Sequence, residues 1–344
     1  MSQAILSNII AAGALGDAFG YAIEFDSWNT IRHAHGPAGL QNWPYAATPR
    51  RLVVSDDTQM TLFAMEAIAE ALEAHGRHLH PGPLRQASES AFLRWLETQG
   101  SIPSSRHLSL MTGLASQRIL WQRAAPGMTC LAALSGIRDH RLKTNDSKGC
   151  GAAMRAAPYA TLVDAFGLDF VWRAASDQGH VTHHDVDGYI SGAALAFILA
   201  SQPKSIEDLE SCALAAATRA ELLGAHGTAL CLREACRLRD VFMDPEQMCD
   251  ALGEGWVGDE AVGLALWAAF RSTGTLQAIR IAANHRGDSD STASMAGQIS
   301  SAIWGLDDAL HSQALLLDVA IPMRQACARL HSSLDRLAPT PTTT

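Results

Sequence analysis

Apolar residues return at three- and four-residue steps along most of the chain, the spacing that places them on one face of an α-helix. The pattern predicts helices over residues 58–74, 83–96, 206–223, 225–239, 259–270 and 291–304. Many of these are dense in Ala, the strongest helix former, and hold few β-branched residues. Turn signals break the pattern at residues 37–39, at Pro81-Gly82, Pro126-Gly127 and Gly149-Cys150-Gly151, and at residues 253–258. Alternating strand patterns are nearly absent, Leu52-Val53-Val54 being the best short candidate. No linker, repeat or low-complexity stretch divides the chain, and only the Pro/Thr-rich tail, residues 338–344, is expected to be disordered. The expectation is one compact all-α domain over residues 1–337, with a dozen or more helices, several rich in small residues that permit close packing.

Composition narrows the function. At 344 residues, 48% hydrophobic and 18% charged, the chain can bury a sizeable core, which excludes intrinsic disorder. A net charge of -9, from 26 basic and 35 acidic residues, argues against a protein that grips phosphate backbones, so no direct nucleic-acid binding is expected. The mean hydropathy is +0.03, yet the longest apolar runs, such as residues 193–200, are too short to span a bilayer. The N-terminus lacks the basic region and cleavage site of a signal peptide. A cytoplasmic protein without membrane association is the expectation. Seven Cys with no C-x-x-C pair read as reduced thiols that pack as small hydrophobes.

Two acidic clusters carry candidate chemistry. Ser55-Asp56-Asp57-Thr58 and Gly287-Asp288-Ser289-Asp290-Ser291-Thr292 each stand just before a predicted helix. Taken singly, each reads as a helix cap with acidic residues complementing the dipole. The second is not an EF-hand loop: counted from Asp288, position six is Ala293 and position twelve is Ile299. Together the clusters offer four carboxylates with flanking hydroxyls, hard oxygen donors of the kind Mg²⁺, Mn²⁺ or Ca²⁺ prefer. Were both loops at one cleft, the carboxylates would repel one another unless dications lay among them.

Other segments carry weaker signals. Gly13, Gly16 and Gly20 share one helical face and read as a close-packing surface. Gly149-Cys150-Gly151-Ala152-Ala153-Met154-Arg155 reads as a glycine-rich loop entering a helix, either a plain turn or an anion-holding start. His180, His183 and His184 lack the companion ligands of a zinc site. No G-x-S-x-G elbow is present.

The order of these motifs resembles the ADP-ribosylglycohydrolase family, over residues 5 to 306. The resemblance is carried by Gly13-Ala14-Leu15-Gly16-Asp17-Ala18-Phe19-Gly20 with Glu24 following, by Ser55 to Thr58, and by residues 149–158. Thr182-His183, Gly253-Glu254-Gly255-Trp256-Val257 and Gly287 to Thr292 complete it. It implies an all-α fold with two Mg²⁺ or Mn²⁺ ions at the bottom of an ADP-ribose cleft. By the same resemblance, Ser55, Asp56 and Asp57 hold metal with Asp288, Asp290 and Ser291. Glu24 matches an acidic residue near the metals that moves when substrate binds, and Glu24, Asp57 and Asp290 form the catalytic set. Gly149, Cys150, Gly151 and Met154 match a segment cradling the diphosphate and distal ribose; His183 and Trp256 complete the substrate-binding set. Departures stand out. Ser55 and Ser291 replace Thr, and Cys150 stands where Asn is common. His285-Arg286 brings a cation toward the cleft, and no Asp or Glu occurs between Glu97 and Asp139 to serve as a middle-segment acid.

The implied reaction is hydrolysis of an α-linked ADP-ribose from a modified protein, most favourably from arginine, releasing ADP-ribose. Glu24 or a metal-bound carboxylate would handle the proton. The alternative is an immunity protein that neutralises an ADP-ribosyltransferase toxin, by hydrolysis or by occlusion. Occlusion would call for a segment ahead of the first helix, and only a few residues precede Gly13.

Overall fold

A computed structural model describes residues 1–100, 111–141 and 144–337. The tail expected to be disordered lies outside the described residues. Sixteen α-helices and no β-strand occur among them. In chain order they are α1 (Gln3–Gly20), α2 (Trp28–His35), α3 (Asp56–His75), α4 (Pro81–Thr98), α5 (Met128–Arg138), α6 (Val163–Phe166), α7 (Leu168–Gly179) and α8 (Val186–Ala200). There follow α9 (Ile206–Leu222), α10 (His226–Arg237), α11 (Pro245–Leu252), α12 (Gly258–Phe270), α13 (Thr275–Ala283), α14 (Ser289–Trp304), α15 (Asp308–Ala314) and α16 (Ala320–Asp335). Each of the six helices predicted from periodicity forms, with its ends within two residues of expectation.

The helices without a polar face lie at the centre. α1 is buried without interruption from Ile9 to Gly20, and α8 from Ile190 to Ala200, as all-round apolar helices must be. α1 packs mainly on α14, which also meets α12 and α13. α3 packs against α4 and α16, while α8 touches α7, α9 and α12. No helix among the described residues is long and apolar enough to cross a membrane. Of the seven Cys, four are buried and three half-buried, all as free thiols.

The α1–α14 contact is backbone against backbone. A Cβ on Gly16 would lie 2.1 Å from the Ala293 carbonyl oxygen, and one on Gly20 would lie 2.1 Å from that of Ser289. Gly297 returns the favour, where a Cβ would sit 2.4 Å from the Ala12 oxygen. The glycine face is thus a packing device that draws the start of α14 against the end of α1.

The strand candidate did not become a strand. Leu52 makes an isolated parallel bridge with Leu317, and Ala46 an isolated antiparallel one with Arg51. The Val54 N–H turns to the Asp318 carboxylate at 3.4 Å, and α3 begins two residues later, so no ladder propagates.

Replacing Gly16 with Ala should destabilise the protein by roughly 1–3 kcal/mol, because the added methyl meets a carbonyl rather than a flexible side chain. Thermal unfolding checks this against Gly274→Ala, where a Cβ meets open space. Equal melting temperatures for the two variants would contradict the packing account.

Candidate active site

Two helix starts build the acidic wall. Ser55 caps α3, accepting from the Asp57 N–H at 3.2 Å, and leaves Asp56 and Asp57 in the first turn. Asp288 caps α14, accepting from the Ser291 N–H at 3.3 Å, and Asp290 follows in that first turn. Both clusters are therefore caps, as each alone suggests. Tertiary packing adds the rest, because both helix starts open on one cavity of about 710 Å³.

Glu24, Asp56, Asp57, Asp288, Asp290 and Ser291 line one side of that cavity; Gly149, Cys150, Gly151, Met154 and His183 line the other. Trp256, Phe25 and Met128 stand exposed at its mouth, where the Phe25 and Trp256 rings lie nearly parallel, 6.5 Å between centres. Every proposed site residue except Ser55 reaches the cavity. The Ser55 side chain is fully buried, with its oxygen engaged in the cap.

The acidic wall lacks internal compensation. Glu24, Asp288 and Asp290 each present a carboxylate oxygen within 4.8 Å of the others. One oxygen of Glu24 and one of Asp57 are buried without a hydrogen-bond partner among the described residues. Burial first, then the charge of Asp290, raises Glu24 to about 10 and holds Asp56, Asp57 and Asp288 well above the usual carboxylate range. Several carboxylates this close cannot all ionise in a dry site; protons or a cation must share it. The donors facing the gap are oxygens, which suits a hard divalent ion such as Mg²⁺ or Mn²⁺.

The opposite wall departs from the expected loop-to-helix turn. Cys150–Ala152 is a single 3₁₀ turn, and no α-helix starts there, so it offers no helix N-terminus to an anion. The segment is pinned from behind instead. Gly149 bridges to Val257, the Cys150 N–H donates to the Trp256 carbonyl at 3.3 Å, and the Gly258 N–H donates to the Lys148 carbonyl at 2.7 Å. The Lys148 ammonium pairs with Asp187 at 3.1 Å and Asp259 at 3.4 Å. Cys150 donates its thiol to Asp288 at 2.9 Å, which ties the two walls together.

The histidines separate. His183 is buried against Gly149 and Gly151 and faces the cavity. His180 and His184 pack edge to face on each other, and the His184 Nδ1 accepts from the Asn145 N–H at 3.1 Å. Arg286 is not a cleft cation. It pairs with Glu254 at 2.7 Å and Asp250 at 2.9 Å and does not line the cavity.

One site-building residue escaped the sequence reading. Asp17, fully buried in α1, accepts from the N–H groups of Ser55 at 2.9 Å and Thr58 at 3.0 Å, and from the Thr58 hydroxyl. It anchors the start of α3 to α1, and burial with the Asp290 charge raises it to about 7. The signal was a lone carboxylate inside an otherwise apolar stretch between Gly16 and Gly20. Arg123 and Phe25, also lining residues, carried no such signal.

Fold and site together define an all-α protein with an oxygen-walled cleft suited to divalent cations. The ADP-ribosylglycohydrolase family model matches residues 6–338, and the chain belongs to that family. It also resembles a solved structure described as an ADP-ribosylglycohydrolase-related protein complex, with a TM-score of 0.62 and 18% identity, covering 96% of this chain and 98% of that one. At that identity the likeness shows a shared fold. No curated protein matches the chain.

The raised carboxylates give stability a sign. They keep protons in the folded state that the unfolded chain gives up near pH 4, so they favour folding less as pH rises toward about 7 for Asp17 and about 10 for Glu24. Buried His183 and His285, lowered to about 3 and about 4, act oppositely, but only below about pH 6.5, above which they are neutral in both states. Metal-free protein should therefore lose melting temperature from pH 7 to 8, and saturating Mn²⁺ should recover more at pH 8 than at pH 7. Scanning calorimetry at both pH values, with and without Mn²⁺, reads this; a recovery independent of pH would contradict it.

Proposed function

We propose that the protein hydrolyses the glycosidic bond joining ADP-ribose to a modified protein, with two Mg²⁺ or Mn²⁺ ions held between α3 and α14. The observation that carries this reading is the pair of orphaned carboxylate oxygens on Glu24 and Asp57, within a cavity whose other wall is the pinned glycine loop. Asp56, Asp57, Asp288, Asp290 and Ser291 would hold the ions, with Ser55 setting the helix start. When bound, the ions supply Lewis-acid orientation of the ribose hydroxyls and of a water acidified toward neutral pH.

The chain's own groups supply the remainder. With cations balancing the neighbouring carboxylates, Glu24 would give up the proton that burial and Asp290 otherwise hold on it, and its Oε2, which has no partner, would accept the proton of the attacking water. The carboxylate wall favours the positive charge that builds on the sugar in an oxocarbenium-like transition state. Gly149 and Gly151 let the substrate's oxygens approach the backbone, with Met154 and His183 beside them and Trp256 at the mouth.

Arginine is the acceptor this cleft suits best. A guanidinium stays protonated at any working pH, and the carboxylates attract it and the surface that carries it. Arg286, occupied by Glu254 and Asp250, does not offset that field.

Release of ADP-ribose from arginine-modified and serine-modified peptides at equal concentration tests the reading. The arginine peptide should be preferred, EDTA should abolish turnover, and Mg²⁺ or Mn²⁺ should restore it. Full turnover in metal-free buffer would sink the metal-dependent reading; preference for the serine peptide would reassign the acceptor alone. Glu24→Gln should still bind ADP-ribose while kcat falls by about 100-fold or more, since general-base catalysis typically contributes that much. Unchanged kcat in that variant would place the base elsewhere.

A further inference from the structure

Behind the glycine-loop wall lies a cation that the catalytic reading does not use. Arg155 is fully buried and makes no carboxylate contact among the described residues. Its Nε donates to the Gln178 Oε1 at 2.9 Å, and one terminal nitrogen donates to the Gln178 carbonyl at 3.2 Å and to the Thr182 hydroxyl at 2.7 Å. The other terminal nitrogen meets the sulfurs of Met60 and Cys130 at 3.5 Å, and the Phe92 ring lies 4.2 Å from the guanidinium carbon. Gln178 in turn donates to the Ala152 carbonyl at 2.9 Å, so the same hub grips the loop.

The hydrogens of this hub favour one tautomer of the next residue. A guanidinium only donates, so the Thr182 oxygen must accept from Arg155. The Thr182 oxygen also lies 2.8 Å from His183 Nδ1. If Nδ1 carried a proton, two donors would converge on that oxygen, and its own hydrogen would face only the weakly accepting Cys130 sulfur. If Nδ1 is bare, the hydroxyl donates to that stronger acceptor, and Nε2–H alone is left to find its partner in the cavity.

We propose that Arg155 and Thr182 are positioning residues that hold His183 as its Nε2–H tautomer, so that this N–H donates to an oxygen of ADP-ribose lying across Gly149 and Gly151. A Cβ on Gly149 would lie 3.3 Å from Nε2 and one on Gly151 would lie 3.4 Å from it, which puts the N–H directly beneath the loop that receives the ligand. His183 lines the cavity, and Nε2 has no partner among the described hydrogen bonds. Burial and the Arg155 charge lower the ring to about 3, so it donates as a neutral imidazole throughout the physiological range. The donor role rests on the reading that this cavity takes ADP-ribose; the tautomer does not.

Thr182→Val removes the hydroxyl and keeps the shape, whereas Thr182→Ser keeps the hydroxyl. Nitrogen-15 shifts of the His183 ring, assigned against His183→Asn, report the tautomer, and calorimetry with ADP-ribose and Mg²⁺ reports affinity. Wild type and Thr182→Ser should show Nε2–H with equal affinity. Thr182→Val should show both tautomers and a Kd raised by the inverse of the Nε2–H fraction, about twofold for an equal mixture and about tenfold where one ring in ten keeps Nε2–H. An Nδ1–H tautomer in the wild type overturns the proposal and needs no variant to read; so does Thr182→Val with unchanged tautomer and affinity. A wild type that shows Nε2–H but binds no ADP-ribose overturns the donor role together with the function proposed for the cavity, and leaves the relay that sets the tautomer supported.

Discussion

Everything at the site depends on how closely α1 and α14 approach. Without side chains at Gly16 and Gly20, the α1 backbone lies on the Ala293 and Ser289 carbonyls, and the start of α14 arrives beside Asp17 and Glu24. Asp17 then takes the Ser55 and Thr58 N–H groups and draws in the start of α3. Two helix N-termini, distant in sequence, are set by one glycine face and one buried carboxylate. Their partial positive charges compensate some of the acids gathered there, but a half-charge per helix cannot balance that many carboxylates.

The two walls of the cavity are held by different physics. The acidic wall is kept in place by helix capping and close packing, and it stores mutual repulsion that a proton or a cation must relieve. The glycine-loop wall is held by hydrogen bonds from behind: Lys148 with Asp187 and Asp259 on one flank, Arg155 with Gln178 and Thr182 on the other. Such a scaffold leaves the acidic wall free to change charge state while the opposite wall keeps its shape. The Cys150 thiol against Asp288, with the Ser291 hydroxyl on the Cys150 sulfur, ties them directly.

The shared fold at 18% identity agrees with this division. What the architecture needs from much of the core is apolar character with smallness where backbones meet: Gly16, Gly20 and Gly297 between α1 and α14, and larger buried residues such as Phe63, Phe92 and Trp95 elsewhere. Many sequences meet those demands, so the fold can be shared at low identity.

The local periodicity of the chain determined six of the sixteen described helices to within two residues, because an amphipathic or all-apolar repeat of that length has one way to bury itself. It also determined the two acidic caps and the glycine packing face, each of which is written in a few neighbouring residues. The resemblance in motif order named Glu24 and both acidic clusters before any contact was known. What it could not determine was which groups would be left over once neighbours had taken their partners. Arg286 looked like a cleft cation until Glu254 and Asp250 claimed it, and the loop at Gly149 looked like a helix start until it closed as a 3₁₀ turn. Asp17 looked like an ordinary member of an apolar helical stretch, and Arg155 like the end of a glycine-rich loop. Only the tertiary structure decided their roles, because a hydrogen bond or an unpaired charge depends on atoms far away in sequence. Local pattern reports the backbone a segment prefers; distant packing decides which of its polar atoms remain free to act.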